Sequence, residues 1–175
     1  MLFQLELARL DLEDQRAVSA EQTARKAMGI AERRGNLALK RDATLVLAEA
    51  FLALGKLDAA EELLGGIQEL LEEAPDFQSR LVFALLEARL EWFQGSRPKL
   101  TGNRMEPQSL VRSSQERLQW ILNTALEHGH RLLAFETRVE MARQSILSPP
   151  ESADLEQELE DHGLGRLLQR LKAMP

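Results

Sequence analysis

The sequence has no cysteine and no tyrosine. The first absence excludes disulfides, thiolate metal sites and thiol nucleophiles, and fits a reducing compartment such as the cytoplasm. Tyrosine's absence and the scarcity of β-branched residues argue against sheet. No run approaches the ~18 consecutive apolar residues that a membrane-spanning helix needs. Positive charge is in deficit too. The net charge of −6 disfavours non-specific binding to nucleic acid, where affinity comes largely from cationic contacts with phosphate. The opening stretch, "MLFQLELARL", lacks a basic n-region and a small-residue cleavage site, so it does not read as a signal peptide.

What is present is helix-forming: Leu, Ala, Glu, Arg and Gln dominate the 175 residues. Apolar residues recur at helical spacing almost throughout. The pattern predicts eight helices at roughly 2–13, 19–34, 38–54, 58–73, 77–95, 109–128, 130–146 and 151–172, the last broken near Gly163. Ser19 with Gln22, and Asp58 with Glu61, read as capping boxes. Gly35 and Gly129 stand where a helix end wants a left-handed residue. Ala74-Pro75-Asp76 ends one helix and caps the next, and Ser148-Pro149-Pro150-Glu151 separates the last two. The chain opens inside an amphipathic helix with no capping residue before it, so the expectation is a fragment of a longer protein.

The helices repeat. Ala8-Arg9-Leu10-Asp11 returns eighty positions later as Ala88-Arg89-Leu90-Glu91. A shift of forty carries Leu7, Ala8, Ala20, Ala24 and Ala27 onto Leu47, Ala48, Ala60, Leu64 and Ile67. Residues 19–39 align with 113–133 without a gap. The resulting units are about 1–36, 37–75, 76–129 and 130–175, in one domain. The third contains a basic, Pro- and Gly-containing insertion at 96–107, in which Arg97, Lys99 and Arg104 form a cationic cluster. One hairpin cannot bury its apolar face, whereas four stacked hairpins can.

At these positions the chain resembles a tetratricopeptide repeat (TPR) array. Residues 47–67, "LAEAFLALGKLDAAEELLGGI", carry the family pattern through Leu47-Ala48, Phe51, Gly55, Leu57, Ala60, Leu64 and Ile67. The period near forty exceeds the usual 34 and is similar to longer TPR-like arrays in large bacterial regulatory and signalling proteins. HEAT-like repeats share the period, but their Pro and Asp/Arg pattern is missing. The resemblance implies an all-α fold, a right-handed superhelix of about four stacked antiparallel hairpins. It also implies a non-catalytic scaffold that binds a peptide or partner domain in a concave groove, as the C-terminal part of a larger bacterial protein.

The chemistry-bearing residues fit that expectation. Gly55-Lys56 lacks the flanking residues of a Walker A loop. His128 and His130 flank a helix end, with no acid or Cys at ligand spacing, so neither metal nor cofactor is expected. The acidic pairs, Glu61-Glu62 and Glu72-Glu73 among them, read as solvated faces, and no nucleophile–base pattern points to an enzyme.

The register of the repeat puts Arg9, Glu49, Arg89 and Arg138 at one groove position, and Leu12, Leu52, Trp92 and Met141 at another. Arg9–Glu49–Arg89 reads as a charge ladder linking repeats, with Trp92 and Trp120 in the core by default. Arg138 has no opposite charge beside it in that row, which singles it out, with Trp92 and Phe93, for gripping a partner. The acids at 11 and 91 are expected to face solvent, and Leu10 and Leu90 to pack inward. The alternative role is homodimerisation through the apolar first helix, which carries Leu2, Phe3, Leu5, Leu7, Leu10 and Leu12.

Overall fold

A computed structural model describes residues 2–73, 76–96 and 107–173. Within them the chain is all-α, and no strand occurs among the described residues. The helices are α1 (Leu2–Glu13), α2 (Ala17–Arg33), α3 (Leu37–Ala53), α4 (Leu57–Glu73), α5 (Phe77–Ser96), α6 (Pro107–Glu127), α7 (Arg131–Arg143), α8 (Pro149–Asp161) and α9 (Gly165–Lys172). The break expected near Gly163 separates α8 from α9. The basic cluster of Arg97, Lys99 and Arg104 lies outside the described residues, as do Ala74-Pro75 and the side chains of Leu2, Glu72 and Glu73. No described helix is long and apolar enough to cross a membrane.

One turn joins most of these helices. At Gly35 the Asn36 N–H reaches back to the Ala31 carbonyl at 3.0 Å and the Gly35 N–H to Glu32 at 3.1 Å. This paired bonding satisfies carbonyls that a helix end would otherwise orphan, and it requires a left-handed residue. It recurs at Gly55, Gly129 and Gly163, with φ of 70°, 74° and 67°. It also occurs at Gln15 (φ 59°) and Ser145 (φ 57°), which carry side chains into that region. Gln15, Gly35 and Gly55 are evenly spaced by twenty residues, so the forty-residue echo in the sequence is two helix-and-turn steps.

Each helix packs on the next in sequence, most extensively from α1 to α4 and from α5 to α7, and more lightly from α4 to α5 and from α7 to α9. In addition α1 touches α3, α3 touches α5, α5 touches α7 and α7 touches α9. The first helices of the hairpins thus form a continuous row. This explains a difference in composition. The flanking helices α2 and α6 bury one stripe each, Ala20, Ala24, Ala27 and Ala31 in one, Leu110, Ser114, Leu118, Ile121 and Ala125 in the other. The row helices α3 and α5 are buried on most sides. The apolar core runs from the α1–α5 region through α5–α7 to a smaller cluster of Val139, Leu155, Leu159, Leu167 and Leu171.

Several local expectations change. Helix α2 starts at Ala17, so Ser19 is not a cap; its hydroxyl donates to Asp11 at 2.6 Å. Helix α4 starts at Leu57, which puts Asp58 in its first turn rather than at the cap. Asp11 is buried at 3% exposure, held by Ser19 and by Arg16 at 2.8 Å, because a carboxylate with two donors tolerates loss of solvent. Leu10 is exposed, whereas Leu90 packs inward. Trp120 is 53% exposed, and Trp92 is half-buried. Gly65 and Gly66 have open space beside them and mediate no close contact. The capping box at Ser148 and Glu151 is present, and Asp76 accepts from the Ser79 hydroxyl at 2.6 Å in the first turn of α5.

Candidate functional site

Three helices of the row meet at one guanidinium. Arg89 on α5 is buried, with its Nη1 donating to Glu49 Oε1 on α3 at 2.8 Å and its Nε donating to Glu140 Oε2 on α7 at 2.9 Å. One arginine therefore bridges helices that begin almost a hundred residues apart in sequence. A planar guanidinium suits this: its N–H groups point in several fixed directions, where an ammonium would present one compact charge. Burial alone would pull the Arg89 pKa down, but Glu140 and Glu49 hold it above its ordinary value. Glu140 is 1% exposed, and its second oxygen, Oε1, is buried without a hydrogen-bond partner.

More charges surround this core. Glu136, one turn before Glu140 on α7, is half-buried. Burial, reinforced by the charge of Glu49, pushes its carboxyl above the usual range. For Glu49 burial acts in the same upward direction, but Arg89, Arg170 and Arg9 together leave its pKa lowered. Arg170 on α9 interacts with Arg89 and with all three carboxylates. Its own pKa is lowered by burial and then by Arg89, against the pull of Glu49, Glu136 and Glu140. The cluster is thus Arg9, Arg89 and Arg170 against Glu49, Glu136 and Glu140, balanced in formal charge.

Of the residues singled out from sequence, Glu49 and Arg89 form the expected rung. Arg9 remains electrostatically coupled to Glu49, but its direct ion pair is with Glu6 on its own helix at 2.8 Å, and it is 46% exposed. Arg138 is not in the row. It pairs with Glu158 on α8 at 2.5 Å, so it does have an ionic partner. The reason is rotational: residues 138 and 140 are about 200° apart around a helix, so only one of them can face α5. Measured from the turns, Arg9 and Glu49 each stand six residues before Gln15 and Gly55, whereas Arg138 stands seven before Ser145. Met141 is buried in the α5–α7 core, not displayed. Trp92 and Phe93 meet edge-on at 5.2 Å, and the Arg143 guanidinium lies 6.0 Å and 5.2 Å from their rings. This is a cation–π contact that joins α7 to α5.

Glu136, Glu140 and Arg170 were missed. Glu140 follows Arg138 in "TRVEM" and resembles the solvated acids elsewhere. The available signal was its place one turn after Glu136, which puts two carboxylates on one face of a helix otherwise lined by Leu133, Ala134, Thr137 and Met141. Arg170 had a comparable signal, since Arg166 and Arg170 also share a face.

His128 and His130 pack at a tilt against Phe77, at 4.4 Å and 5.5 Å between ring centres. Among the described residues no group of three or more His, Asp or Glu is placed to hold a metal ion. Comparison with family models, curated proteins and solved structures finds no match in any of the three.

Proposed function

We propose that this chain is a non-catalytic interaction module, a TPR-like solenoid of about four hairpins whose row of first helices forms a concave docking face for a protein or peptide. One observation carries this proposal: the charged cluster of Glu49, Arg89, Glu136 and Glu140 sits on the row helices, with Arg89 and Glu140 buried as its base and Glu49 and Glu136 half-buried at its rim. Unlike the ion pairs on the flanking helices, such as Arg112–Glu116, this cluster meets a partner that approaches along the row. In the same proposal the chain is the C-terminal part of a larger cytoplasmic regulatory protein of bacterial type, acting without cofactor, nucleic acid or membrane.

The test is a peptide-display selection on the full chain, followed by affinity measurements with two variants. The affinity of binders of the row changes at least tenfold with Arg9→Glu, upward for a cationic partner and downward for an acidic one, and is unaffected by Glu62→Lys on the outer helix α4. Selected peptides that respond to Glu62 and ignore Arg9 would reject the docking face.

A second reading has its own observation. Phe3 is 74% exposed and Leu7 and Leu10 on the same helix are also exposed, an apolar end that a second copy can cover. Sedimentation across a concentration series decides it: a strict monomer removes homodimerisation.

A further inference from the structure

The row already has an occupant. Helix α9 has two faces. Leu167 and Leu171 pack against Val139, Leu155 and Leu159. Arg166 and Arg170, four residues apart, lie on another face. Arg166 forms an ion pair with Glu13 at the end of α1, and Arg170 interacts with the carboxylates of Glu49, Glu136 and Glu140. The last helix of the chain therefore packs on α7 and α8 and extends its arginine side chains toward α3 and the end of α1.

Its fit is incomplete. Glu140 Oε1 is buried and accepts no hydrogen bond. Glu136 is half-buried, and among the described residues neither it nor Arg170 makes a hydrogen bond or close ion pair. The carboxylates therefore present unused acceptors, and the guanidinium that neutralises them leaves them unfilled. Without Arg166 and Arg170, the cluster together with Glu13 leaves Glu13, Glu49, Glu136 and Glu140 against Arg9 and Arg89, a local excess of two negative charges. An eight-residue helix is also too short to persist undocked, where ~12–15 residues are marginal, so α9 is held by the contacts it makes. The left-handed turn at Gly163 separates it from α8.

We infer that α9 is a displaceable internal mimic, and that the partner of the row is a cationic amphipathic helix with two arginines one turn apart, flanked by leucines. Such a helix sets one arginine at Glu13 and the other among Glu49, Glu136 and Glu140, donates to Glu140 Oε1, and covers Val139, Leu155 and Leu159 in place of α9. The inference rests on the docking face proposed above and names its ligand.

The probe is a fluorescent synthetic peptide of residues 163–175, titrated by anisotropy into the full-length chain. Wild type, whose own helix competes, binds weakly. Arg166→Gln with Arg170→Gln binds at least tenfold more tightly, and adding Glu136→Gln reduces that binding at least threefold. A second variant, Leu167→Asp with Leu171→Asp, loosens α9 through its apolar face and should also bind better than wild type. Hydrogen exchange of amides 166–173 reports the release. Fast exchange in both variants with no gain in binding overturns the inference. Equal binding of a peptide with glutamine at both arginines also overturns it; if Arg9→Glu still changes that binding, the docking face itself survives. A wild-type dimer that Arg166→Gln with Arg170→Gln dissociates would assign the site to a second copy's α9 and overturn the partner.

Discussion

The two halves of the molecule use the same turn but different helix lengths. In the first half α2, α3 and α4 are each 17 residues long, and the turns fall at even spacing. In the second half α5 and α6 lengthen to 20 and 21 residues, while α7 and α8 shorten to 13. Gly55 and Gly95 show what this does. They occupy the same place in the forty-residue pattern, yet Gly55 makes a left-handed turn, whereas α5 runs straight through Gly95. A Cβ added at Gly95 would sit 2.7 Å from the Pro107 carbonyl and 2.8 Å from Val111, so glycine there admits the start of α6. A repeat thus transmits side-chain register only as far as its helix lengths hold. The charged cluster lies where that regularity ends: Arg89 meets Glu49 in register and Glu140 out of it.

The sharpest way to break the junction is Arg89→Ala, which leaves Glu140 buried and uncompensated. It should cost about 3–5 kcal/mol in denaturant unfolding, far more than Arg9→Ala on the exposed end of the row, at most ~1 kcal/mol. Next is Gly95→Ala. Overpacking against the α6 backbone should cost about 1–3 kcal/mol, whereas alanine at Gly65 or Gly66, where space is open, should stabilise α4 by roughly 0.5–1 kcal/mol. The turns separate the halves more gently. Gly129→Ala should lose about 1 kcal/mol, and Gln15→Gly and Ser145→Gly should each gain somewhat less, since they relieve a left-handed side chain. Thermal melts suffice to read these, at roughly 2–4 °C per kcal/mol for a chain of this size.

The smallest effect is electrostatic and has opposite signs at two carboxylates. Glu49 has a lowered pKa, so its stabilising contribution is present above the ordinary glutamate value of 4.5 and is lost as pH falls through its folded pKa. Glu136 has a raised pKa, so it costs stability increasingly as pH climbs from 4.5 to its folded pKa. Glu136→Gln should therefore raise the melting temperature slightly at neutral pH, and the gain should disappear on acidification. Glu49→Gln should lower it at neutral pH.

What sequence could reveal divides along the same line. Gly35 and Gly129 were legible because a helix end has few chemical solutions, and Arg89 with Glu49 because two units of equal length preserve facing. Ser19 misled because a serine that can cap can equally bond across helices, as it does to Asp11. Trp120 misled because size argues for burial, while α6 presents that position to solvent. Arg138 misled because one residue of slip between the turn at Ser145 and the row turns a side chain through about 100°. Nothing local in "TRVEM" distinguishes the residue that faces α5 from the one that faces α8. That distinction is made by packing against elements twenty to fifty residues away.

The direct test is a pair of double-mutant cycles for stability, one joining Arg89→Gln with Glu49→Gln and the other joining Arg89→Gln with Glu140→Gln. If one guanidinium ties three helices of the row together, both cycles should return coupling of roughly 1–3 kcal/mol, while the cycle joining Arg9→Gln with Glu49→Gln stays below about 0.5 kcal/mol. Additive behaviour of Arg89 with either glutamate would contradict the row.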